Sequence, residues 1–380
     1  MQRYAMLSQA LARHGYDVVW WSSDWNHLEK KRRRVPSESE LRTELGLAEK
    51  DGRVEIRLLP TLAYRRNVGL CRLLSHWRYG NTWARAIRFE SESPGAILVS
   101  MPPLGLWQRV RRLGVPVAVD VQDLWPDTFR RVLPCGFQWL LAPMARTARA
   151  AYLGVAAVSV VCESYRTVTG RQDARVFRLG VDIAKNPQTG ESAGTKLRIC
   201  YVGNLGVGYG ISEILESVER LSGCGVGITL HIAGDGPQRK AVEAAAAKCP
   251  AIHYEGVLRG SALGNLLEHC DAGLIPMVSE SGVALPNKLG DYAAAGLAVV
   301  SSLEGETQKL LERYSAGLTY KPGDIAGLTE CLRRLAADRT EVARMRAGSW
   351  KMACDELDAG RIYPVMAEWL AGLAKSKTPE

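Results

Sequence analysis

Leu285-Pro-Asn-Lys-Leu-Gly-Asp-Tyr-Ala-Ala-Ala-Gly-Leu-Ala-Val-Val-Ser301 reads as one helix feeding one strand. Pro286 suits the first turn of a helix, where its missing N–H costs nothing. Ala293 to Ala295 are small and let the helix lie close to a neighbour. Gly296 stops it, and Leu297 to Val300 are a short apolar run of the kind buried in parallel sheets. Lys288 and Asp291 stand three apart and share a helical face near the N-terminus. That end offers unpaired N–H groups and a partial positive charge, to which Lys288 adds a full one. An anion such as a diphosphate suits the place. Asp291 repels phosphate but accepts hydrogen bonds from ribose hydroxyls. On these residues alone, a solvated Lys–Asp pair on an ordinary helix–strand unit is an equal alternative.

The same alternation surrounds the stretch. Upstream, Leu197 to Val202, Ile228 to Ala233, Ile252 to Tyr254 and Ala272 to Ile275 read as strands. Helices are expected between them, at Ile211 to Leu221, Gln238 to Lys248 and Leu263 to His269, and further helices follow Asp324 and Glu341. Asn186 to Thr195 is polar and rich in Gly, Ser and Thr, as an interdomain linker is. Before it, strands are expected at Asp17 to Trp21, Val54 to Leu58, Ala96 to Ser100, Val115 to Val121, Val155 to Val161 and Arg175 to Arg178. Leu70 to Phe89 and Phe137 to Tyr152 read as amphipathic helices carrying Trp and Arg, and Lys30 to Asp51 as a mobile loop. The expected fold class is α/β, with two Rossmann-like domains and parallel sheets facing across a cleft. The expected domains are 1–184 and 196–355, with residues 356–380 a C-terminal helix packing back on the first. A Rossmann-like half ordinarily opens with a strand and a glycine turn. Here Arg3 to His14 is already helical, so the first strand of the N-terminal domain is expected to be missing.

With 380 residues, 47% hydrophobic and 23% charged, the chain suits a globular two-domain protein. No apolar run reaches the roughly 20 residues that span a bilayer. Nine cysteines lie scattered without a CxxC pair, as in a reducing compartment, and the six histidines lack ligand spacing. No metal is expected. Charge is unevenly placed. Residues 1–180 hold 28 Lys and Arg against 16 Asp and Glu, a net +12, while residues 181–380 hold 21 against 24, a net −3. The first half is therefore expected to meet an anionic surface, with a solvated basic face as the alternative.

Three loops in the second half fall where strands end, the place where open α/β sheets bind ligands. They are Gly203-Asn-Leu-Gly-Val-Gly-Tyr-Gly210, Gly234-Asp-Gly-Pro237 and Pro286 to Asp291. One glycine turn is weak evidence for phosphate binding, and three in one domain are far more specific.

In these loops the second half resembles the donor domain of family-4 retaining glycosyltransferases, which have the two-domain GT-B arrangement. That family's Gly-Arg-Leu…Lys-Gly, Gly-x-Gly-Pro and Glu-x7-Glu-Ala-x-Ala-x-Gly-x-Pro-Val-Val are matched by Gly203-Asn204-Leu205…Tyr209-Gly210, by Gly234 to Pro237, and by Asp291 to Val300. Pro-Asn-Lys-Leu-x-Asp-Tyr and Asp120-Val-Gln-Asp-Leu-Trp-Pro126 resemble the bacterial subgroup that builds surface polysaccharides. The resemblance implies transfer of a hexosyl or N-acetylhexosaminyl group from a nucleotide diphosphate sugar, with retention, to a lipid-linked saccharide. The donor is a substrate, and no further cofactor is implied. The implied donor-binding set is Gly203, Asn204, Gly206, Tyr209, Gly234, Gly236, Pro237, Val257 for the base, Glu280, Asn287, Leu289 and Asp291 for the ribose. Gln122 falls on the family's acceptor-domain His, beside Asp123. With Lys288 these two are the implied catalytic residues. Localisation at the cytoplasmic face of the inner membrane follows from the same resemblance.

The departures are specific. The family's diphosphate-binding Arg and Lys fall on Asn204 and Tyr209, both uncharged, and its first Glu falls on Val283, with Glu280 near. Lys288 is the candidate replacement for the lost charge. These departures leave a catalytically weakened GT-B partner protein as one rival, and a sugar-nucleotide epimerase of the same shape as another. The epimerase reading lacks, in the cleft, the His and acidic residues that hydrolytic epimerisation would need. A nucleic-acid binder is suggested by charge alone and lacks aromatic–basic interleaving, so no nucleic-acid partner is expected.

Overall fold

The structure is a computed structural model. It describes residues 2–26, 29–65, 69–90, 92–103, 106–126, 135–183, 196–278 and 283–375. The expected linker and Glu280 lie outside these residues. Two compact units result, Met1–Arg178 with Gly360–Glu380, and Leu179–Ala359.

The second unit is built on one sheet of six parallel strands. They are β9 (Leu197–Val202), β10 (Ile228–Ala233), β11 (Ile252–Gly256), β12 (Ala272–Ile275), β13 (Ala298–Ser301) and β14 (Gly317–Thr319). Their spatial order is β11-β10-β9-β12-β13-β14. Renumbered from the first strand of this unit, that is 3-2-1-4-5-6, the doubly wound order. The chain reverses direction across the sheet between β9 and β12, and in doubly wound sheets the crevice for ligands lies there, at the strands' carboxyl ends. The strands are apolar on both faces because helices cover both. One core packs Ile199, Tyr201, Leu230 and Ile232 against Ile214, Val218, Leu328 and Leu332. The other packs Cys200, Ile275 and Val299 against Leu289, Tyr292, Leu310 and Met352.

In the first unit the parallel strands fall into two sheets. β1 (Val18–Ser23) pairs with β4 (Val54–Leu59), and β5 (Ile97–Met101), β6 (Val117–Val121), β7 (Ala157–Val160) and β8 (Arg175–Val176) form a second sheet in that order. Among the described residues no strand joins β1 to β5. Trp369 of the C-terminal helix Ala359–Lys375 lies against Phe177, with ring centroids 5.4 Å apart.

Two local readings are corrected. Lys30 to Asp51 is not an unstructured loop. β2 (Trp25–Asn26) and β3 (Lys31–Arg32) pair antiparallel, and the helix Glu38–Glu44 follows. Ser37 and Glu40 form a reciprocal capping box at its start. Leu41 and Leu45 then bury against Ala12 and Val54. Phe137 to Tyr152 is not one helix either. A 3-10 segment, Cys135–Leu141, precedes the helix Ala142–Gly154, and Pro143 stands at its first turn.

Candidate functional site

The site is built on the crevice of the second unit. The loop after β9 is tied down from three sides. The Gly203 N–H donates to the Ala233 carbonyl at 2.9 Å, Leu205 to Asp235 at 2.9 Å, and Gly210 to Pro276 at 2.8 Å. Gln238 clamps it further, its amide donating to the carbonyls of Gly206 at 2.7 Å and Tyr209 at 3.1 Å. Sequence reasoning passed over Gln238. Its only signal was its place directly after Gly234-Asp-Gly-Pro237. Gly234 has a φ of 148°, and a Cβ there would stand 1.8 Å from the Gly203 carbonyl oxygen. No side chain fits at that crossing.

Lys288 enters this frame from the far side of the crevice. The helix is Asn287–Ala294, and Pro286 is its cap residue rather than its first helical residue. A proline side chain cannot accept a hydrogen bond, so the first amides of the helix keep no side-chain cap. Ala295 ends the helix and Gly296 follows at φ 66°, as the sequence implied. The Lys288 ammonium lies 4.2 Å from the ring centre of Tyr209 and 4.9 Å from that of Tyr201. A Cβ on Gly203 would stand 2.5 Å from Lys288 Nζ. The ammonium therefore occupies the space that glycine leaves open. Burial lowers its pKa to about 8, and Asp291 opposes the shift. Asp291 is exposed, yet the surrounding protein raises its carboxyl from the ordinary range while Lys288 pulls it down.

Lys288 thus brings one positive charge to the corner of the uncharged Asn204 and Tyr209, resting on the Tyr209 ring. Asn204, Pro237, Val257 and Asn287 are exposed around the opening, and Gly206 and Gly236 lie in the two loops. Leu289 does not line it. Its side chain is fully buried in the core, and its N–H donates to the Pro286 carbonyl at 3.0 Å.

Gln122 and Asp123 stand in the first unit, directly after β6. Fully buried Asp120 holds the place together. Arg3 grips it with two bonds of 2.8 Å, Ser159 donates at 2.7 Å and Tyr4 at 2.9 Å. Burial pushes the Asp120 carboxyl up, but Arg3 and the hydroxyl donors prevail and hold it below the usual range. A carboxylate only accepts, so the Tyr4 hydroxyl must point at Asp120. Its oxygen then accepts from the Gln122 amide nitrogen, which also reaches Asp120 at 3.4 Å. That orientation directs the Gln122 carbonyl oxygen away from the cluster, as an acceptor for a hydroxyl. Asp123 is exposed; burial of its surroundings raises its carboxyl pKa and Arg72 opposes. Arg3 and Tyr4 were not foreseen.

Residues 196–338 match the family model described as glycosyl transferases group 1. Over the whole chain, the structure is similar to sucrose-phosphate synthase from Thermosynechococcus elongatus, with a TM-score of 0.73 and 13% identity, covering 98% of this chain and 92% of that one. It is similar to Anabaena HepE in complex with UDP, with a TM-score of 0.64 and 14% identity, covering 94% and 100%. The fold is that of GT-B glycosyltransferases. In sequence the chain is 27% identical to a Mycobacterium tuberculosis glycogen synthase over 223 residues, 56% of this chain and 51% of that one. A 2-deoxystreptamine glucosyltransferase from Streptomyces kanamyceticus is 27% identical over 154 residues, 40% of this chain and 39% of that one. The chain therefore spans about half or less of the length of these curated relatives. The matched region contains all three strand-end loops of the second unit, Lys288 included.

Proposed function

We propose that this chain is a glycosyltransferase that moves a sugar from a nucleotide diphosphate sugar to a lipid-linked saccharide with retention, in bacterial surface-polysaccharide synthesis at the cytoplasmic face of the inner membrane. The observation that carries the reading is the Lys288 ammonium, packed against Tyr209 and Gly203 at the sheet's switch point. Anabaena HepE, a structural neighbour, was solved with UDP and with UDP-glucose, which supports a nucleotide sugar as the donor. In this reading the helix start at Asn287, which no side chain caps, and the Lys288 ammonium hold the diphosphate, and Asp291 accepts from the ribose. As the sugar–phosphate bond breaks, negative charge grows on the leaving diphosphate. Lys288, held against Tyr209 and partly desolvated, meets that growing charge with its own, so it stabilises the transition state more than the ground state. Gln122 of the first unit offers its carbonyl oxygen to a saccharide hydroxyl. The leaving phosphate accepts the acceptor's proton, so no protein nucleophile is required.

A second reading, a GT-B protein that binds nucleotide but turns over slowly, is favoured by the uncharged Asn204 and Tyr209. Incubation with a panel of nucleotide sugars and membrane extract separates the two by mass spectrometry. Transfer predicts release of a nucleoside diphosphate and a lipid-linked product heavier by one sugar residue. Nucleotide binding with no such product would leave the second reading standing.

A further inference from the structure

The first unit holds a groove of about 430 Å³ that the transfer reading does not use. One wall is the end of the helix Leu70–Ala86 and the 3-10 turn Ile87–Phe89 that continues it. Asn81, Arg85 and Arg88 stand four and then three apart there, so they share one face of that rod. The other wall is the short helix Trp107–Val110 with its own 3-10 turn, Arg111–Leu113, and it brings Gln108, Arg109 and Arg112. The two walls are fastened together. Arg109 donates to the Asn81 side-chain oxygen at 2.6 Å. A Cβ on Gly80 would stand 3.3 Å from Arg109 Nη1, so the glycine lets the guanidinium lie close against the helix. Arg111 does not line the groove and lies 5.2 Å over the buried Trp107 ring.

Four guanidiniums thus converge, and among the described residues lining the groove none is Asp or Glu. Residues 70–89 and 93–119 contain neither, and Glu90 is paired with Arg57. Among the described residues Arg85, Arg88 and Arg112 form no ion pair, and all three are exposed. An arginine in a last helical turn answers the partial negative charge of the free carbonyls, and Arg85 and Arg109 stand in such turns. That charge is only about half a unit at each helix end. The remaining positive charge repels itself until an anion enters. Guanidinium forks take phosphate oxygens two at a time, and the Asn81 and Gln108 amides suit hydroxyl groups. No aromatic residue lines the groove, so a nucleobase has nothing to stack on. The place is also apart from Gln122. The turn Arg111–Leu113 runs through Gly114 into the start of β6, whereas Gln122 follows its end. Five residues of strand, about 16 Å, lie between them.

We propose that this groove binds a soluble, multiply phosphorylated polar anion, a sugar bisphosphate or an inorganic oligophosphate, apart from the transfer site. It does so whether or not the chain transfers sugar, and neither donor nor acceptor enters the test. Inorganic tripolyphosphate is the probe, titrated calorimetrically into the full chain at low salt. Lys288 also attracts anions, so Lys288→Met is titrated alongside, and binding at the groove should persist there. R88Q/R112Q removes one guanidinium from each wall and should weaken binding about a hundredfold, roughly tenfold per charge-assisted contact. R88K/R112K keeps the charges and loses the forks, so it should recover only part of the affinity. R146Q/R149Q takes the same charge from exposed arginines that do not line the groove and should bind like the parent. All four arginines are exposed, and an unaltered Tm shows that the variants fold. Binding lost in Lys288→Met and kept in R88Q/R112Q overturns the proposal, as do equal losses in R88Q/R112Q and R146Q/R149Q. Full affinity in R88K/R112K also overturns it, because mere surface charge would then suffice. Phosphatidylglycerol vesicles should not displace the probe, and displacement would assign the groove to lipid headgroups instead.

Discussion

Replacing Lys288 by methionine removes the charge and keeps an unbranched side chain against Tyr201, Tyr209 and Gly203. The ammonium is half-buried, and burial has lowered its pKa from the ordinary value of 10.5 to about 8. Its charged form is therefore less comfortable in the free protein than in water. Taking the charge away should leave Tm unchanged or raise it. Binding behaves in the opposite way. One charge-assisted hydrogen bond to a diphosphate oxygen contributes roughly 1.5–3 kcal/mol, which converts to a loss of about tenfold to a hundredfold in Kd. UDP is the probe, and uridine the control that lacks the charge being read. Isothermal titration of both ligands at pH 7 should show a large loss for UDP and little change for uridine. Equal losses for both would mean that Lys288 only shapes the pocket. Unchanged UDP affinity would remove it from the site.

Two further substitutions probe the frame around that contact. Gly203→Ala puts a methyl where Lys288 Nζ now lies, at a backbone φ of 135°. UDP affinity should fall about tenfold, and calorimetry of the Gly203→Ala/Lys288→Met pair should show little further loss, because both act through one ammonium. Arg3→Met strands a fully buried Asp120 without its cation, and breaking such a pair costs about 3–5 kcal/mol. The first unit's Tm should drop by roughly 10 °C. In the parent, the depressed Asp120 pKa stabilises the fold above the ordinary carboxylate range. That contribution should fade only as acid protonates Asp120, and thermal melts across pH read it directly.

The second half was legible because its physics is local. Apolar runs such as Leu197 to Val202 end in glycines, and each glycine turn opens a helix, so the ligand loops could be placed without knowing the sheet order. The order itself depends on which strands meet and has no signature within any one strand. Lys288 and Asp291 were visible through helical spacing. That Lys288 rests on Tyr209 was not, because a cation–ring contact between loops leaves no spacing to read. Leu289 was assigned to the opening by its motif, whereas its position between Lys288 and Gly290 turns it inward to Tyr292 and Met352. In the first half, Arg3 and Asp120 are 117 residues apart and meet only once β6 is folded. The helix Glu38–Glu44 did carry a signal, Ser37-x-x-Glu40 followed by Leu41 and Leu45, but the basic run before it and the polar composition masked it.

The claim that Lys288 reads the diphosphate has a direct signature in protons. In the free protein its pKa is about 8, and an adjacent diphosphate raises it. Binding at pH 8.5 must then draw in protons that binding at pH 7 largely does not, by linkage between binding and titration. Calorimetric titration of UDP in two buffers of different ionisation enthalpy counts those protons. The account predicts uptake at pH 8.5 that nearly vanishes at pH 7 and is absent in Lys288→Met at both. UDP binding with no proton uptake at pH 8.5, or uptake that survives in Lys288→Met, would contradict it.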